Sequence, residues 1–528
     1  MISCEKKQEA VLSLPIAGNT IRIVNGAIVD TIGNPLFLRG CGLGNAVWSN
    51  VEIPGIDHDP SDYAVIKSMN MNVIRFYINY RTFEDDNAPY KYKESGFKWI
   101  DANILEAKKN GIYLVLNMHV PQGGFQSIGG GGALWTNSEN QNRLTSLWKA
   151  IAARYAKSSV IAGYGLVNEP SPTTSISQWQ QLAQKITSTI REVDANHLLF
   201  IERALKVGDS YSNNSDMNFV KVDDPKVVYE FHLYDPYHYT SQNWNGNPDG
   251  GSYPDESKII IPGDGNWLNG CPANPTASSG TTDWNYFQSG KFKNSDTRIK
   301  YALPTLAGAS IGDGTIYYDS IWVNEFDMSG NFSKKTPVTL TDASKWYYWS
   351  SDGTGSGNMS LDGINGTKCL TITGSRNYAT LSGSDFAIVP QNGFSYQICG
   401  FMKGKNLPVN STAKIDIGFF TSANPVYPVN KTYLLMNMKA YSDWASANNV
   451  PVFLGEFGLT GSCFTGRKGG TQWVSDMIDG TKQLNIHFSY HVYREDDITG
   501  FGIFYGKTPT QLANTQANLV SVFRSKLR

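Results

Sequence analysis

Charge is scarce in this sequence. Only 17% of its 528 residues are Asp, Glu, Lys or Arg, against ~25% in an ordinary globular protein. The 45 basic and 46 acidic residues nearly cancel. A nucleic acid or an anionic membrane needs a basic footprint to bind, and none is offered. No apolar run reaches the ~18 residues that cross a bilayer, so no membrane span is expected. The six cysteines are spread along the chain without a CxxC pair. That spacing argues against a zinc site, a redox motif or a disulfide scaffold. Cys369 and Cys399, on strand-like runs of one region, are the pair most suited to bridge. No Gly-x-Gly-x-x-Gly follows a strand and opens a helix, so a dinucleotide fold lacks its fingerprint.

Aromatics and glycine are plentiful, with 13 Trp, 28 Tyr, 24 Phe and 51 Gly. At 41% hydrophobic residues the chain can bury a sizeable core. A surface that is polar but uncharged suits neutral polyhydroxy ligands. At the N-terminus, Ile2-Ser3-Cys4 before Glu5-Lys6-Lys7 resembles the cut end of a bacterial lipoprotein signal. The expectation is a secreted or cell-surface protein, with an arbitrary start as the open alternative.

From residue 35, strand-like and helix-like runs alternate. Strands are expected at Pro35–Gly44, Asn72–Ile78, Ile112–Val120, Val160–Asn168, Leu198–Arg203 and Val227–Tyr234. Helices are expected from the Asp59 cap, over Phe97–Asn110 up to Gly111, over 139–158 and over 175–195. The rhythm resumes with a helix at 432–449, strand Val450–Phe457, a helix at 470–485, strand Ile486–Tyr493 and a closing helix. Eight near-continuously apolar strands, mostly followed by helices, read as parallel strands buried on both faces. The expected fold is α/β, a (β/α)8 TIM barrel; an open doubly wound sheet is the alternative.

About 200 residues separate strands six and seven, far beyond a loop's ordinary ~15. Residues 241–289, rich in Asn, Gly, Pro and Ser, read as a cleft loop. Residues 290–425 carry short strands with turn signals and no helical period, an inserted all-β sandwich or jelly roll. The barrel is thus expected in two parts, 1–240 and 426–528.

In such a barrel, chemistry sits at the C-terminal ends of the strands. The polar residues there are Arg75, Asn117, His119, Asn168, Glu169, His232, Tyr234, Glu456 and His491. Glu169 and Glu456, on strands four and seven, face one another across the mouth. Cleaving an acetal needs such a pair: an acid to protonate the leaving oxygen, and a carboxylate to attack or to activate water. Each residue alone also has a structural explanation, as a salt-bridge partner or a packed polar group. No HExxH-like spacing supports a metal, so neither metal nor cofactor is expected.

The set resembles glycoside hydrolase family 5, the cellulase-like retaining glycosidases on a (β/α)8 barrel. The signature is Gly165-Leu166-Val167-Asn168-Glu169-Pro170. Supporting segments are Leu38-Arg39-Gly40, Asn72-Val73-Ile74-Arg75, Leu116-Asn117-Met118-His119, Phe231-His232-Leu233-Tyr234-Asp235-Pro236-Tyr237 and Phe453-Leu454-Gly455-Glu456-Phe457-Gly458. The resemblance spans about 20–240 and 430–528. It implies Glu169 as general acid/base and Glu456 as nucleophile. Arg75 would keep Glu456 ionised and aimed, and Asn168 would meet the sugar 2-hydroxyl. His119, His232 and Tyr234 would complete the −1 subsite. Electrostatics agrees, since a buried Glu beside Arg stays ionised while one without a cation is raised.

The family usually carries a Trp at the end of strand eight, and His491 stands there instead, which leaves substrate preference open. Trp48 and Trp135, in loops after strands one and three, are candidate sugar-stacking residues, with loop packing as the alternative. The insert loosely resembles β-sandwich carbohydrate-binding modules, through Ile316-Tyr317-Tyr318-Asp319-Ser320-Ile321 and the run Trp346-Tyr347-Tyr348-Trp349. It is expected to border the cleft, with Trp244, Trp267 and Trp284 as candidates to reach distal subsites. The leading expectation is a monomeric endo-β-1,4-glucanase acting on a polysaccharide or oligosaccharide. A β-mannanase, an exo-acting β-glucosidase and a non-catalytic glycan-binding protein are the rivals.

Overall fold

The computed structural model describes residues 20–44, 47, 59–127, 131–213, 216–261, 265–340, 342–506 and 516–528. The chain divides into two compact units, Met1–Pro254 with Tyr433–Arg528, and Asp255–Thr432.

The first unit is a closed barrel of eight parallel strands. They are β1 (Arg39–Leu43), β2 (Val73–Asn79), β3 (Tyr113–Val120), β4 (Ile161–Gly165), β5 (Leu198–Glu202), β6 (Val227–His232), β7 (Val452–Glu456) and β8 (His487–Tyr490). β8 pairs with β1 and closes the ring. The helices between them are α1 (Pro60–Ser68), α2 (Glu94–Asn110), α3 (Ser138–Tyr155), α4 (Ile176–Arg191), α5 (Lys431–Asn448), α6 (Gly470–Gln483) and α7 (Ala517–Lys526). Among the described residues, no helix of a full turn or more links β5 to β6; a small ribbon of Lys206–Val207 and Ser210–Tyr211 lies there.

Local chemistry explains the boundaries. Asp59 caps α1 by accepting the Ser61 N–H, Asp62 reaches back to the Asp59 N–H, and Pro60 sits where no donor is needed. α2 stops at Gly111, whose left-handed backbone (φ 62°) suits glycine. α5 lays Tyr441 flat on Phe231 of β6, ring centroids 3.8 Å apart.

Alternation along the strands fills the barrel in layers. Val73, Val115, Leu198, Phe200, Val228 and Phe453 form an apolar floor with Ile21, Ile28 and Leu38. The N-terminal hairpin (Arg22–Val24 with Ala27–Val29) supplies Ile28 and flanks this floor. Two residues beyond Val73, Phe200 and Val228 the interior turns polar, with Arg75 on β2, Glu202 on β5 and Glu230 on β6 all buried. The apolar floor thus lies below a polar layer on the side where catalytic barrels keep their chemistry.

The second unit packs two antiparallel sheets. One has five strands in the order 266–269, 412–421, 299–309, 378–382 and 347–350. The other is built on 285–288, 395–405, 315–326, 369–373 and 356–360, with 292–293 and 332–338 added. Leu306, Ile415, Ile417 and Phe419 from the first meet Ile316, Tyr318, Ile372 and Ile398 from the second in one core. This is a sandwich.

Two expectations need correction here. Residues 241–289 contribute strands Asp255–Ile259, Asn266–Asn269 and Asn285–Gln288 to the second unit; their polar, half-exposed sequences belong to edge positions, which hide the usual apolar alternation. Cys369 and Cys399 are both free. Their strands flank 315–326 on opposite sides. Two strand spacings put them about 9.5 Å apart or more, beyond the ~7 Å a disulfide tolerates. In the aromatic run, alternation divides the side chains: Trp346 is buried, while Tyr347 and Trp349 are 66% and 47% exposed.

Candidate active site

Two β-bulges shape the polar end of the barrel. Between β6 and β7, Phe231 pairs with Leu454 but His232 pairs with Glu456, so Gly455 is the extra residue. Between β2 and β3, the register slips at Ile78/Asn79, with His119 as the extra residue. A bulge re-aims the side chains beside it. A Cβ on Gly455 would lie 1.9 Å from Glu230 Oε1, so any side chain there would push Glu230 off Arg75.

Arg75 is the hub. Its Nη1 donates to Glu456 Oε1 at 2.7 Å, and its Nη2 donates to Asn168 Oδ1 at 2.8 Å. Its Nε lies 2.6 Å from Glu230 Oε1, and Nη2 lies 3.5 Å from Glu202 Oε2. The second Glu456 oxygen accepts the Tyr234 hydroxyl at 2.8 Å and lies 3.6 Å from His491 Nδ1. Tyr77 holds His491 through its hydroxyl, 3.0 Å from Nδ1, and stacks on His119 with centroids 4.3 Å apart. His119 Nδ1 lies 3.2 Å from Asn117 Oδ1. With Oδ1 committed to Arg75, the Asn168 amide nitrogen is the group left to donate; its neighbour is Ser127 Oγ at 3.3 Å.

Glu169 has a different setting. Its side chain keeps 13% exposure, and its Oε1 lies 2.9 Å from His232 Nδ1. Its backbone is left-handed, φ 45°, which costs a non-glycine residue about 1–3 kcal/mol and is held only by surrounding contacts. One such contact is its N–H donated to Glu202 Oε2 at 2.9 Å. A carboxylate oxygen of Glu169 and one of Glu456 lie within 4.8 Å of each other, with His232 between them.

The charges are unequal. Burial works against ionisation of Glu456, but the cations His232 and Arg75 overcome it and hold the carboxyl well below the usual range. Burial also opposes a charge on His232; the Glu202 and Glu456 carboxylates outweigh it and raise the imidazole well above its ordinary value. His119 and His491 go the other way, lowered chiefly by burial. The site therefore offers one carboxylate fixed as an anion and a second near solvent on a histidine.

Eight of the residues expected from sequence come together here: Arg75, His119, Asn168, Glu169, His232, Tyr234, Glu456 and His491. Trp48 lies outside the described residues. Trp135 is not at the site; it is 5% exposed, donates its indole N–H to Gln126 Oε1 at 2.8 Å and packs edge-on to Trp179. Of the three tryptophans expected to reach outward, Trp244 belongs to the barrel unit. It packs edge-on to Phe501, which in turn meets Tyr234 and His491. Trp267 and Trp284 belong to the sandwich unit. Sequence reading passed over Glu202, Glu230, Tyr77 and Phe501. The signal for Glu230 is its position in the inward register of β6, between Val228 and His232.

Two groups have metal-like spacing, Glu169–His232–Glu456 and Glu202–Glu230–His232. The Arg75 guanidinium already answers Glu230, Glu202 and Glu456 with positive charge. That donor set fits an internal cation better than an added one.

Residues 29–285 match the family model for cellulase, glycosyl hydrolase family 5. The chain carries a glycosyl hydrolase family 5 domain, of which the matched stretch holds β1 to β6. Among known relatives of that kind, a β-xylosidase of Phanerodontia chrysosporium is 31% identical over 222 residues, 34% of this chain and 46% of the relative. Endoglucanase C of Acetivibrio thermocellus is 30% identical over 183 residues, 34% of this chain and 51% of the relative. The chain spans about half the length of these curated relatives. A solved endoglucanase aligns with 92% of this chain and 97% of its own, at 13% identity and a TM-score of 0.49.

Proposed function

We propose that the protein is a retaining β-glycoside hydrolase that cleaves a β-1,4-linked glucan internally, an endo-glucanase acting by double displacement. The observation that carries this is the close approach of the two carboxylates, an oxygen of one lying within 4.8 Å of an oxygen of the other and both beside His232 Nδ1. Retaining glycosidases hold their carboxyl groups ~5–5.5 Å apart, while inverting ones leave ~6.5–9.5 Å for a water. Glu456, kept ionised by Arg75 and His232, attacks the anomeric carbon as the glycosidic bond breaks. Glu169 gives its proton to the departing oxygen. Water then enters, loses a proton to Glu169 and displaces the sugar from Glu456. The Asn168 amide donates to the sugar 2-hydroxyl, and the Tyr234 hydroxyl steadies the nucleophile.

Glucan as the substrate is supported by Endoglucanase C and its namesakes among the relatives. The β-xylosidase among them is the reason to test xylan beside it. We read the sandwich as a carbohydrate-binding module, on the strength of its solvent-facing Tyr347 and Trp349. The enzyme would work as a monomer, secreted or at the cell surface, where polysaccharide is met.

Product profiles on cello-oligosaccharides, barley glucan, mannan and xylan, run in parallel, test the substrate. NMR of the first-formed product tests the mechanism. Retained configuration and rapid shortening of barley glucan are expected; inverted product, or release of single sugars from chain ends alone, would sink the reading. Glu456→Gln should abolish turnover. Azide should rescue Glu169→Ala on an activated substrate.

A further inference from the structure

Glu202 has no part in the mechanism above. It ends β5 and is buried, with 3% exposure. Both of its oxygens are nonetheless directed at the acid/base assembly. Oε2 accepts the Glu169 N–H at 2.9 Å, and Oε1 lies 3.3 Å from His232 Nε2. The opposite nitrogen of that ring, Nδ1, is the one 2.9 Å from Glu169 Oε1. The same carboxyl therefore reaches Glu169 twice, through its backbone and through the imidazole.

We propose, resting on the assignment of Glu169 as the acid/base, that Glu202 is its positioning residue, fixing both the backbone turn of Glu169 and the His232 tautomer that faces it.

The chemistry follows from where protons can sit. One proton is shared between His232 Nε2 and Glu202 Oε1. With the proton on Nε2, the ring is an imidazolium and donates to Glu202. With it on Glu202, Nε2 is the acceptor and its one lone pair is taken by the Glu202 hydroxyl, 3.3 Å away. Both forms leave a hydrogen on Nδ1. Nδ1–H therefore always donates to Glu169 Oε1, and the proton that Glu169 delivers is carried on Oε2. No proton is gained or lost by the Glu202–His232 pair during turnover; it moves from Glu169 Oε2 to the leaving oxygen and returns from water. Burial and the adjacent Glu230 favour the protonated form of Glu202, while His232 opposes it, which is consistent with a proton shared across the contact. The backbone contact matters separately, because Glu169 sits in a left-handed conformation that relaxes once its N–H is released.

Glu202→Gln tests this, because an amide cannot accept on both sides. The readout is kcat/KM on two substrates: a cello-oligosaccharide, whose leaving group needs protonation, and a dinitrophenyl β-cellobioside, whose leaving group does not. General acid catalysis contributes about 10²–10⁴-fold, so the loss on the oligosaccharide should exceed that on the aryl substrate by at least about tenfold. Azide should then raise kcat on the aryl substrate, as for Glu169→Ala. Equal losses on both substrates, or none, would overturn the proposal. Should Glu202→Gln fail to fold, Glu202→Asp keeps the charge on a shorter arm and should show the same split. If neither folds, Glu202 is structural and the proposal fails. A Glu169→Ala variant active on the oligosaccharide would instead bring down the assignment of Glu169.

Discussion

Arg75 Nη1 meets Glu456 Oε1 at 2.7 Å, with the arginine fully buried and the glutamate nearly so. A buried pair of this kind is poor evidence of stability in itself, but removing one partner strands the other, at about 3–5 kcal/mol. Here one guanidinium serves three carboxylates and an amide. An ammonium on a flexible arm cannot reproduce that fork.

Arg75→Lys is therefore expected to cost both stability and turnover. The variant should unfold at lower urea by about 3 kcal/mol. Its kcat should fall far more than its KM rises, since the nucleophile loses its aim. Unchanged melting together with near-normal kcat would show that the hub is dispensable.

His487 supplies a pH prediction. Its ring is buried at the start of β8, Nδ1 accepts the Leu38 N–H at 3.1 Å, and burial pushes its pKa down to about 4. The unfolded chain protonates this imidazole near the ordinary ~6.5. Between about pH 6.5 and 4 the unfolded state thus binds more protons than the native one, so stability rises with pH across that window and is lost as pH falls. The full shift corresponds to about 3 kcal/mol. His487→Asn keeps an acceptor for Leu38 but cannot titrate. Urea melts at pH 7 and pH 4.5 should show a smaller acid loss in the variant; equal losses would mean that His487 does not sense pH.

The exposed pair Tyr347 and Trp349 stands on one face of its strand, opposite Ser382 and Thr380. Residues two apart on a strand are ~6.6 Å apart, and flat aromatic faces suit the apolar faces of sugars. Replacing both by Ala should weaken retardation of the protein in barley-glucan gels. Hydrolysis of short aryl glycosides should not change. Migration identical to the parent would leave these rings as ordinary surface residues.

The sequence made the barrel legible because buried parallel strands are near-continuous apolar runs, and helices between them keep their period. The site was legible where a polar residue ended such a run, as at Asn168, Glu169 and His491. Glu230 was not, since it lies within a strand and its meaning depends on Arg75, more than 150 positions away in the chain. Glu202 was hidden for the same reason: its partners are the backbone of Glu169 and a ring nitrogen, which no spacing encodes. Trp135 stayed open between sugar stacking and packing, because a tryptophan in a strand-to-helix connection looks alike whether it stacks on sugar or, from the short helix Gly132–Thr136, packs on Trp179. The edge strands of the sandwich escaped because half-exposed strands such as Phe332–Val338 carry polar residues at most positions.

The paired strands at the ends of the insertion give the last prediction. Asp255–Ile259 runs antiparallel to Pro428–Val429, with Asp255 opposite Val429. Antiparallel partners are ~5 Å apart, so the chain leaves and re-enters the barrel at neighbouring points. Replacing 256–428 by a short Gly/Ser bridge should preserve a folded barrel, because each unit has its own core. Circular dichroism and a single cooperative melt check the fold. Activity on dinitrophenyl β-cellobioside, close to the parent's, checks the site. A cut at 290 and 425 should behave differently. It leaves Asn285–Gln288 without its partner 395–405 and Asn266–Asn269 without 412–421. Strands deprived of their sheet expose unpaired backbone and aggregate. The first variant soluble and active, and the second insoluble, is the expected pair of outcomes. A longer excision that aggregates while the shorter one folds would mean that the true boundary lies inside the sandwich.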